Sequence, residues 1–384
     1  MFEDRRTQRF FIIALCLFYA AVRIWRLTDS CLWFDEIFSV HAAEHNWSSL
    51  FDFVAQDLIH PPLFYALLKI WIGIGGESLH WLRLLPVLFV CVALVPFVLL
   101  CRELKQEFLT IVLALFLLSV NGSFIKYAQL VRMYSLLMCL SLFSIWLFAR
   151  YFNRGKNLTA LIAINLLLIY THYYGWLVVG SEIVAILIFQ RFKWRGIVAM
   201  TGVLTAFFLP WIYVVYNASQ NGSKFSQNIS WISRPGLAEI GTYAIDLIEP
   251  FYFQVSNAEP PSIYRISIPL ILLMVAAAAV FAAKLKHIEK EERKTIYFLS
   301  LFSLLPIIVV FLVSWLLPHS IWGTRHLIIV AAPFTLLIAT FLTKFKDDAF
   351  RIGIITLIVL FSGYAFFLYA SRTTPVYVWC AWEG

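Results

Sequence analysis

"PPLFYALLKIWIGIGG", residues 61–76, decides how the chain is threaded. From Pro62 to Gly75 it offers 14 residues, a helix of about 21 Å against about 30 Å of hydrocarbon. If this segment crossed a bilayer, the later connections "RELKQE", "NRGKN" and "KLKHIEKEERK" would all lie outside. Laid along the outer membrane surface instead, with Pro61 and Pro62 opening the helix and His60 extended before them, it leaves those connections cytoplasmic. The same side then carries Arg5, Arg6, Arg9, Arg102, Lys105, Arg150, Arg154, Lys156, Arg191, Lys193, Arg195, Lys344, Lys346 and Arg351. In all, 19 of the 30 basic residues fall there, which is the charge bias of a cytoplasmic face.

Working outward, apolar runs cover 10–27, 80–101, 108–124, 134–151, 157–173, 175–190, 196–216, 265–283, 295–317, 325–342 and 351–370. Eleven transmembrane helices are expected, with the amino terminus in the cytoplasm, in an all-α polytopic protein of the inner or plasma membrane. At 61% hydrophobic and 14% charged, the 384 residues leave no soluble stretch longer than about fifty, so residues 1–384 read as one integral-membrane domain. The net charge of +8 punctuates turns rather than forming one face, which excludes nucleic acid as a partner. The first run lacks a small-x-small cleavage site and is expected to be a retained helix. Cys16, Cys91, Cys101 and Cys139 sit in apolar segments without metal spacing; Cys31 and Cys380 could meet on the outer face.

The outer side receives the long loops 28–79, 121–133, 217–264 and 318–324, the tail from 371, and seven of the eight histidines. In 237–251, Leu237, Ile240, Ala244, Leu247, Ile248 and Phe251 share one helical face, a second surface-lying helix. Loop 28–68 carries six acids and no Lys or Arg; Asp29, Asp52 and Asp57 read as solvated. Asp35 and Glu36 differ, because "LWF" and "IF" press them against apolar surroundings, where a carboxylate needs a partner or a task. A carboxylate so placed can accept a proton.

Their expected counterparts are Lys126, Arg132 and Arg325, with Arg83 and Arg265 equally readable as snorkelling to lipid headgroups. A guanidinium at the interface suits a phosphate, to which His60 and Lys126 could add. His172, Tyr173 and Tyr127 could contact substrate, although "THYYGWL" (171–177) also reads as an interfacial aromatic belt. His41 and His45 have metal-ligand spacing without a third ligand. Glu182 and Asn165 lie inside spans, as in a transporter or flippase, the rival reading. Six N-x-S/T sequons stand at Asn46, Asn121, Asn157, Asn217, Asn221 and Asn228.

Taken in order, "CLWFDEIFSV", "HPPLFYALLKIW", "LRLLPVLF", "CREL", "YAQLVRMYSLL", "THYYGWL", "WISRP" and "TRHLIIVAAPF" resemble the membrane glycosyltransferases of family 39 over residues 1 to about 345. That group has the GT-C fold and is similar to the dolichyl-phosphate-mannose protein mannosyltransferases and the bacterial lipid A aminoarabinose transferases. The resemblance implies a sugar donor on a polyprenyl phosphate, a glycan, lipid or protein hydroxyl as acceptor, inversion at the anomeric carbon, and transfer on the non-cytoplasmic face. It implies Asp35 as base and Glu36 as a supporting group, with loop 28–79 catalytic and loop 217–264 accessory. Some relatives carry an arginine three residues after the acidic pair. Ser39 stands there in this sequence, so the phosphate clamp is expected from elsewhere. No metal is required by such a site, since cationic side chains can stabilise the charge, though a divalent ion is compatible with it. The outer carboxy-terminal domain of several relatives is not expected, because 14 residues follow the last span.

Overall fold

The computed structural model describes residues 4–190, 193–220, 229–252, 262–283 and 288–371. Arg191, Lys284, Lys286, His287, Cys380, the sequons at Asn221 and Asn228, and the side chain of Arg265 lie outside the described residues. Every expected span corresponds to a helix: α1 (Arg5–Ile24), α5 (Leu79–Glu103), α6 (Phe108–Val120), α8 (Tyr134–Arg154), α9 (Leu158–Thr171), α10 (Gly175–Phe189), α11 (Trp194–Gln220), α13 (Tyr264–Ala283), α14 (Lys290–Leu316), α15 (Ala331–Thr343) and α16 (Asp348–Ala370). Four others precede the second and fourth of these: α2 (Phe34–Glu44), α3 (Trp47–Asp57), α4 (Leu63–Gly75) and α7 (Gly122–Gln129). The sixteenth, α12 (Leu237–Asp246), lies in the loop between α11 and α13.

Among the described residues, seven helical stretches are long and apolar enough to cross a membrane: α1, α5, α8, α11, α14, His326–Thr343 and α16. The protein is an integral membrane protein. Helices α6, α9 and α10 are shorter, at 13, 14 and 15 residues, as is α4 at 13. The centre of the bundle is α8, whose apolar window is 83% buried, whereas that of α1 is 17% buried at the periphery. Leu137, Ile145 and Phe148 of α8 face no solvent, and α8 packs along α5 and α9.

Two departures from the expected elements shape the loops at one end of the bundle. The expected span 108–124 breaks at Asn121, which ends α6 and caps α7 by accepting a hydrogen bond from Phe124 N at 2.9 Å. Segment 249–252 docks into this break. Gly122 N donates to Glu249 O at 3.0 Å and Phe251 N to Val120 O at 2.7 Å. A Cβ at Gly122 would fall 2.1 Å from Tyr252 O, so the approach requires glycine. Asn121 is 2% exposed and also donates to Asp246 O, which removes it as a glycosylation acceptor.

The second departure is α12. The expected face ran from Leu237 to Phe251, but the helix stops at Asp246 and Leu237 is 88% exposed. Tyr243 supplies the buried contact instead, donating from its hydroxyl to Leu327 O at 3.0 Å.

Buried charge is used as mortar where α1 meets α6. Arg23 is fully buried and donates to Leu118 O at 2.8 Å and Ser119 O at 3.3 Å, which are last-turn carbonyls of α6. A guanidinium at a helix carboxy terminus satisfies open acceptors and complements the dipole. Its face stacks on Tyr19, 3.3 Å from the ring centroid.

Candidate active site

Helix α2 begins at Phe34, so Asp35 and Glu36 occupy its first turn, where the helix dipole favours negative charge. Side chains on successive helical positions diverge, and here the two carboxylates part company.

Glu36 points inward and is 1% exposed. It accepts hydrogen bonds from Trp33 N at 2.8 Å, Val131 N at 2.8 Å, Arg83 Nη2 at 3.3 Å and Arg83 Nε at 3.4 Å. Arg83, on α5, is 2% exposed and donates as well to the carbonyls of Leu27, Ser30 and Cys31. The snorkelling alternative for Arg83 is thereby replaced: it clamps the start of α2 against the bundle. Cys31 itself is disulfide-bonded.

Asp35 points the other way, into a cavity of about 800 Å³. Its Oδ2 accepts from Arg325 Nη1 at 2.8 Å, and both side chains are 29% exposed. Lys126, Tyr127, Arg132, Tyr134 and Trp231 line the same cavity. Arg325 also lies over the Trp231 ring, 5.5 Å from its centroid.

Arg132 forms the floor. It is 4% exposed, and its Nη1 donates to Asp35 O at 3.0 Å, Ser39 Oγ at 3.1 Å and Tyr65 Oη at 3.4 Å. The cation expected from elsewhere thus stands against Ser39 itself. Arg132 Nη2 donates to His60 Nε2 at 3.3 Å, and His60 Nδ1 is paired with Asp57. Burial pushes His60 below the usual histidine range despite the Asp57 charge, so its ring stays neutral near pH 7. Asp57 is not a solvated acid: burial alone would raise it, but the His60 ring holds it below the ordinary carboxylate range.

Behind this layer stand two more histidines. His172 is 2% exposed and its ring stacks on that of His326 at 4.3 Å. Ring nitrogens of His60, His172 and His326 all lie within 4.8 Å of one another, a spacing a metal ion could bridge. Their hydrogen bonds bear on that possibility. His172 Nδ1 accepts from Tyr174 N at 3.0 Å, which places the proton of the neutral ring on Nε2, and His60 uses both nitrogens.

The sequence-derived candidates are therefore partly assembled. Asp35, Glu36, Lys126, Tyr127, Arg132, Arg325 and His60 line one cavity. His172 lies behind it, and Tyr173 turns its hydroxyl to Leu58 O at 3.3 Å. Neither His41 nor His45 lines the cavity. Glu182 and Asn165 are fully buried among α8, α9 and α10, bonded at 2.8 Å to each other and each to Ser144. Arg83, named as a possible counterpart, pairs with Glu36; missed from sequence were Asp57, Tyr65 and Trp231. For Asp57 a signal existed, since it stands three residues before His60 at a turn.

No family model matches the chain, and no curated protein matches it. Solved structures do. ArnT from Cupriavidus metallidurans in the apo state superposes with a TM-score of 0.58 at 12% identity, over 94% of this chain and 68% of that one. The Archaeoglobus fulgidus oligosaccharyltransferase tethered with an acceptor peptide superposes with a TM-score of 0.57 at 16% identity, over 97% of this chain and 56% of its own. The fold is GT-C. ArnT bound to undecaprenyl phosphate gives 0.54 at 13% identity over 97% of this chain and 74% of that one. The chain spans 56% of the length of the archaeal GT-C enzyme and about three quarters or less of ArnT.

Proposed function

We propose that this chain is an inverting glycosyltransferase that moves a sugar from a polyprenyl-phosphate donor to a hydroxyl acceptor on the non-cytoplasmic face of the membrane. The observation that carries the reading is the Asp35–Arg325 pair on the wall of the cavity, at 2.8 Å, with Arg132 beneath it. Undecaprenyl phosphate in ArnT and an acceptor peptide in the archaeal oligosaccharyltransferase are ligands of proteins with this fold.

In this mechanism the donor phosphate binds Arg325, Arg132 and Lys126. Phosphate competes with Asp35 for Arg325, so donor binding frees the carboxylate at the moment a base is needed. The acceptor oxygen attacks the anomeric carbon from the side opposite the phosphate, and its proton passes to Asp35. The carbon–oxygen bond to phosphate breaks, and its electron pair leaves on the phosphate oxygen, where the guanidinium groups stabilise it. Glu36 holds α2 in register and His60 acts through Arg132. These cations do the charge work, so the reaction is proposed to need no metal.

Purified protein in detergent, with no compartments to transport between, is expected to move sugar from a lipid-linked donor to an acceptor. Asp35→Asn should lower turnover by about 10²- to 10⁴-fold while donor binding persists. Near-normal turnover in that variant removes Asp35 from the mechanism. Absence of transfer with retained lipid binding would favour a flippase.

A further inference from the structure

Asp57, His60 and Arg132 form a hydrogen-bonded chain that leads from the edge of the cavity to its floor. We propose that Asp57 is a positioning residue. Through His60 it fixes the guanidinium of Arg132, and with it the place where an anionic phosphate is received. The proposal rests on the reading that Arg132 holds the donor phosphate.

Proton counting gives the direction of the chain. Arginine carries only N–H donors, so His60 Nε2, 3.3 Å from Arg132 Nη2, must present its lone pair. The single proton of the neutral ring is then on Nδ1, facing Asp57. A carboxylate only accepts, so Asp57 admits this tautomer and no other. A neutral acceptor such as an amide could turn either atom to the ring and would lose that selectivity.

The backbone is shaped for the contact. Asp57 is the last residue of α3, and Leu58 reverses the chain at φ 61° in the left-handed region. Pro61, which disfavours helix at the residue before it, follows His60, and the His60 ring returns to Asp57 three residues back. The Asp57 and His60 side chains are 16% and 9% exposed, so water competes weakly for either contact.

One donor nitrogen of Arg132 is buried without a partner. Its Nη atoms are shared among Asp35 O, Ser39, Tyr65 and His60, while its buried Nε–H has no hydrogen-bond partner. Fixing the other end of the guanidinium by His60 aims that donor. If His60 took its other tautomer, an N–H would face an N–H and Arg132 would be pushed from Asp35 and Ser39.

The same counting sets the chain against a metal at the three histidines. The His60 lone pair is taken by Arg132 and the His172 Nδ1 lone pair by Tyr174 N. A metal bound at His60 Nε2 would have to displace Arg132, which makes metal binding the opposing outcome.

Two measurements on the full chain in detergent test the proposal. In the first, ¹⁵N-histidine spectra, with His60 assigned through His60→Gln, should show a neutral Nδ1–H ring near neutral pH, unchanged by added Zn²⁺. An Nε2–H ring, an imidazolium or a Zn²⁺-shifted His60 signal overturns the lock. In the second, undecaprenyl phosphate is titrated into a mutant cycle. Asp57→Leu should weaken binding about tenfold, Asp57→Glu should restore most of it, and Asp57→Leu should add nothing once Arg132→Met is present. The donor KM should rise while the acceptor KM stays put. Independent losses in the double variant, or a fall in melting temperature with both KM values unchanged, overturn the positioning role. Unchanged phosphate binding in Arg132→Met alone overturns the phosphate reading, and the histidine spectra still decide the lock.

Discussion

Glu36 accepts four hydrogen bonds and is sealed from solvent, while the Asp35 carboxylate answers to Arg325 on the wall of a cavity. Neighbouring positions on one helical turn thus carry opposite duties, one holding the helix and one facing the cavity. Their substitutions should separate accordingly. Glu36→Gln leaves the buried Arg83 without its counter-charge, a loss of about 3–5 kcal/mol, and should appear as a lower melting temperature and poor yield of folded protein. Asp35→Asn should leave that melting temperature within a degree or two of the parent while removing turnover. The sequence made the pair visible, because two acids flanked by aromatic residues are conspicuous. It could not assign the inward one to Arg83, 47 positions away, since nothing local marks which of several interfacial arginines turns into the bundle.

At the scale of elements, α12 and the break between α6 and α7 brace each other, and a carboxyl is trapped where they meet. Asp246 closes α12, at the end of the helix least hospitable to an anion. Burial, and then the nearby Glu249, push its pKa from 3.8 to about 7, with Lys126 offsetting only part. Raised in the folded state, the carboxyl binds a proton more readily there than in the unfolded chain. Its contribution to stability is therefore greatest at low pH, falls as pH rises from about 4 to 7, and is flat above that. Asp246→Asn should flatten this part of the melting-temperature profile and raise the melting temperature at pH 8 relative to the parent, measured in detergent. Periodicity located α12 yet overran its end, because Leu247 and Phe251 continue the apolar rhythm into a turn that packs on α7 rather than into another helical turn. Asn121 and Gly122 were readable as a break only once segment 249–252 was seen to fill it.

For the whole molecule, each of the eleven apolar runs coincides with a helix, seven of them long enough to cross a membrane, and the order of short motifs pointed to the fold later found in structures of 12% to 16% identity. Hydropathy alone would not have done so, since it is shared by every polytopic bundle. The cavity was harder to see: its walls come from the starts of α2 and α8, the end of α3 and the approach to α15, brought together by packing rather than by sequence proximity. Helix α4 is too short to cross, and residues 73–78, its last three and the three that follow, are exposed. A cysteine introduced as Glu77→Cys should accordingly react with an impermeant thiol reagent from the outside only; labelling from the cytoplasm would invert the proposed sidedness.

Arg132 reaches Ser39 from a segment 93 positions further along the chain. A chimera built by transplanting residues 28–79 alone would therefore separate the acidic helix from its cation. Donor helices that bring an arginine of their own at the Ser39 position would crowd two guanidinium groups into one place, and the graft should work only when Arg132 is exchanged along with it.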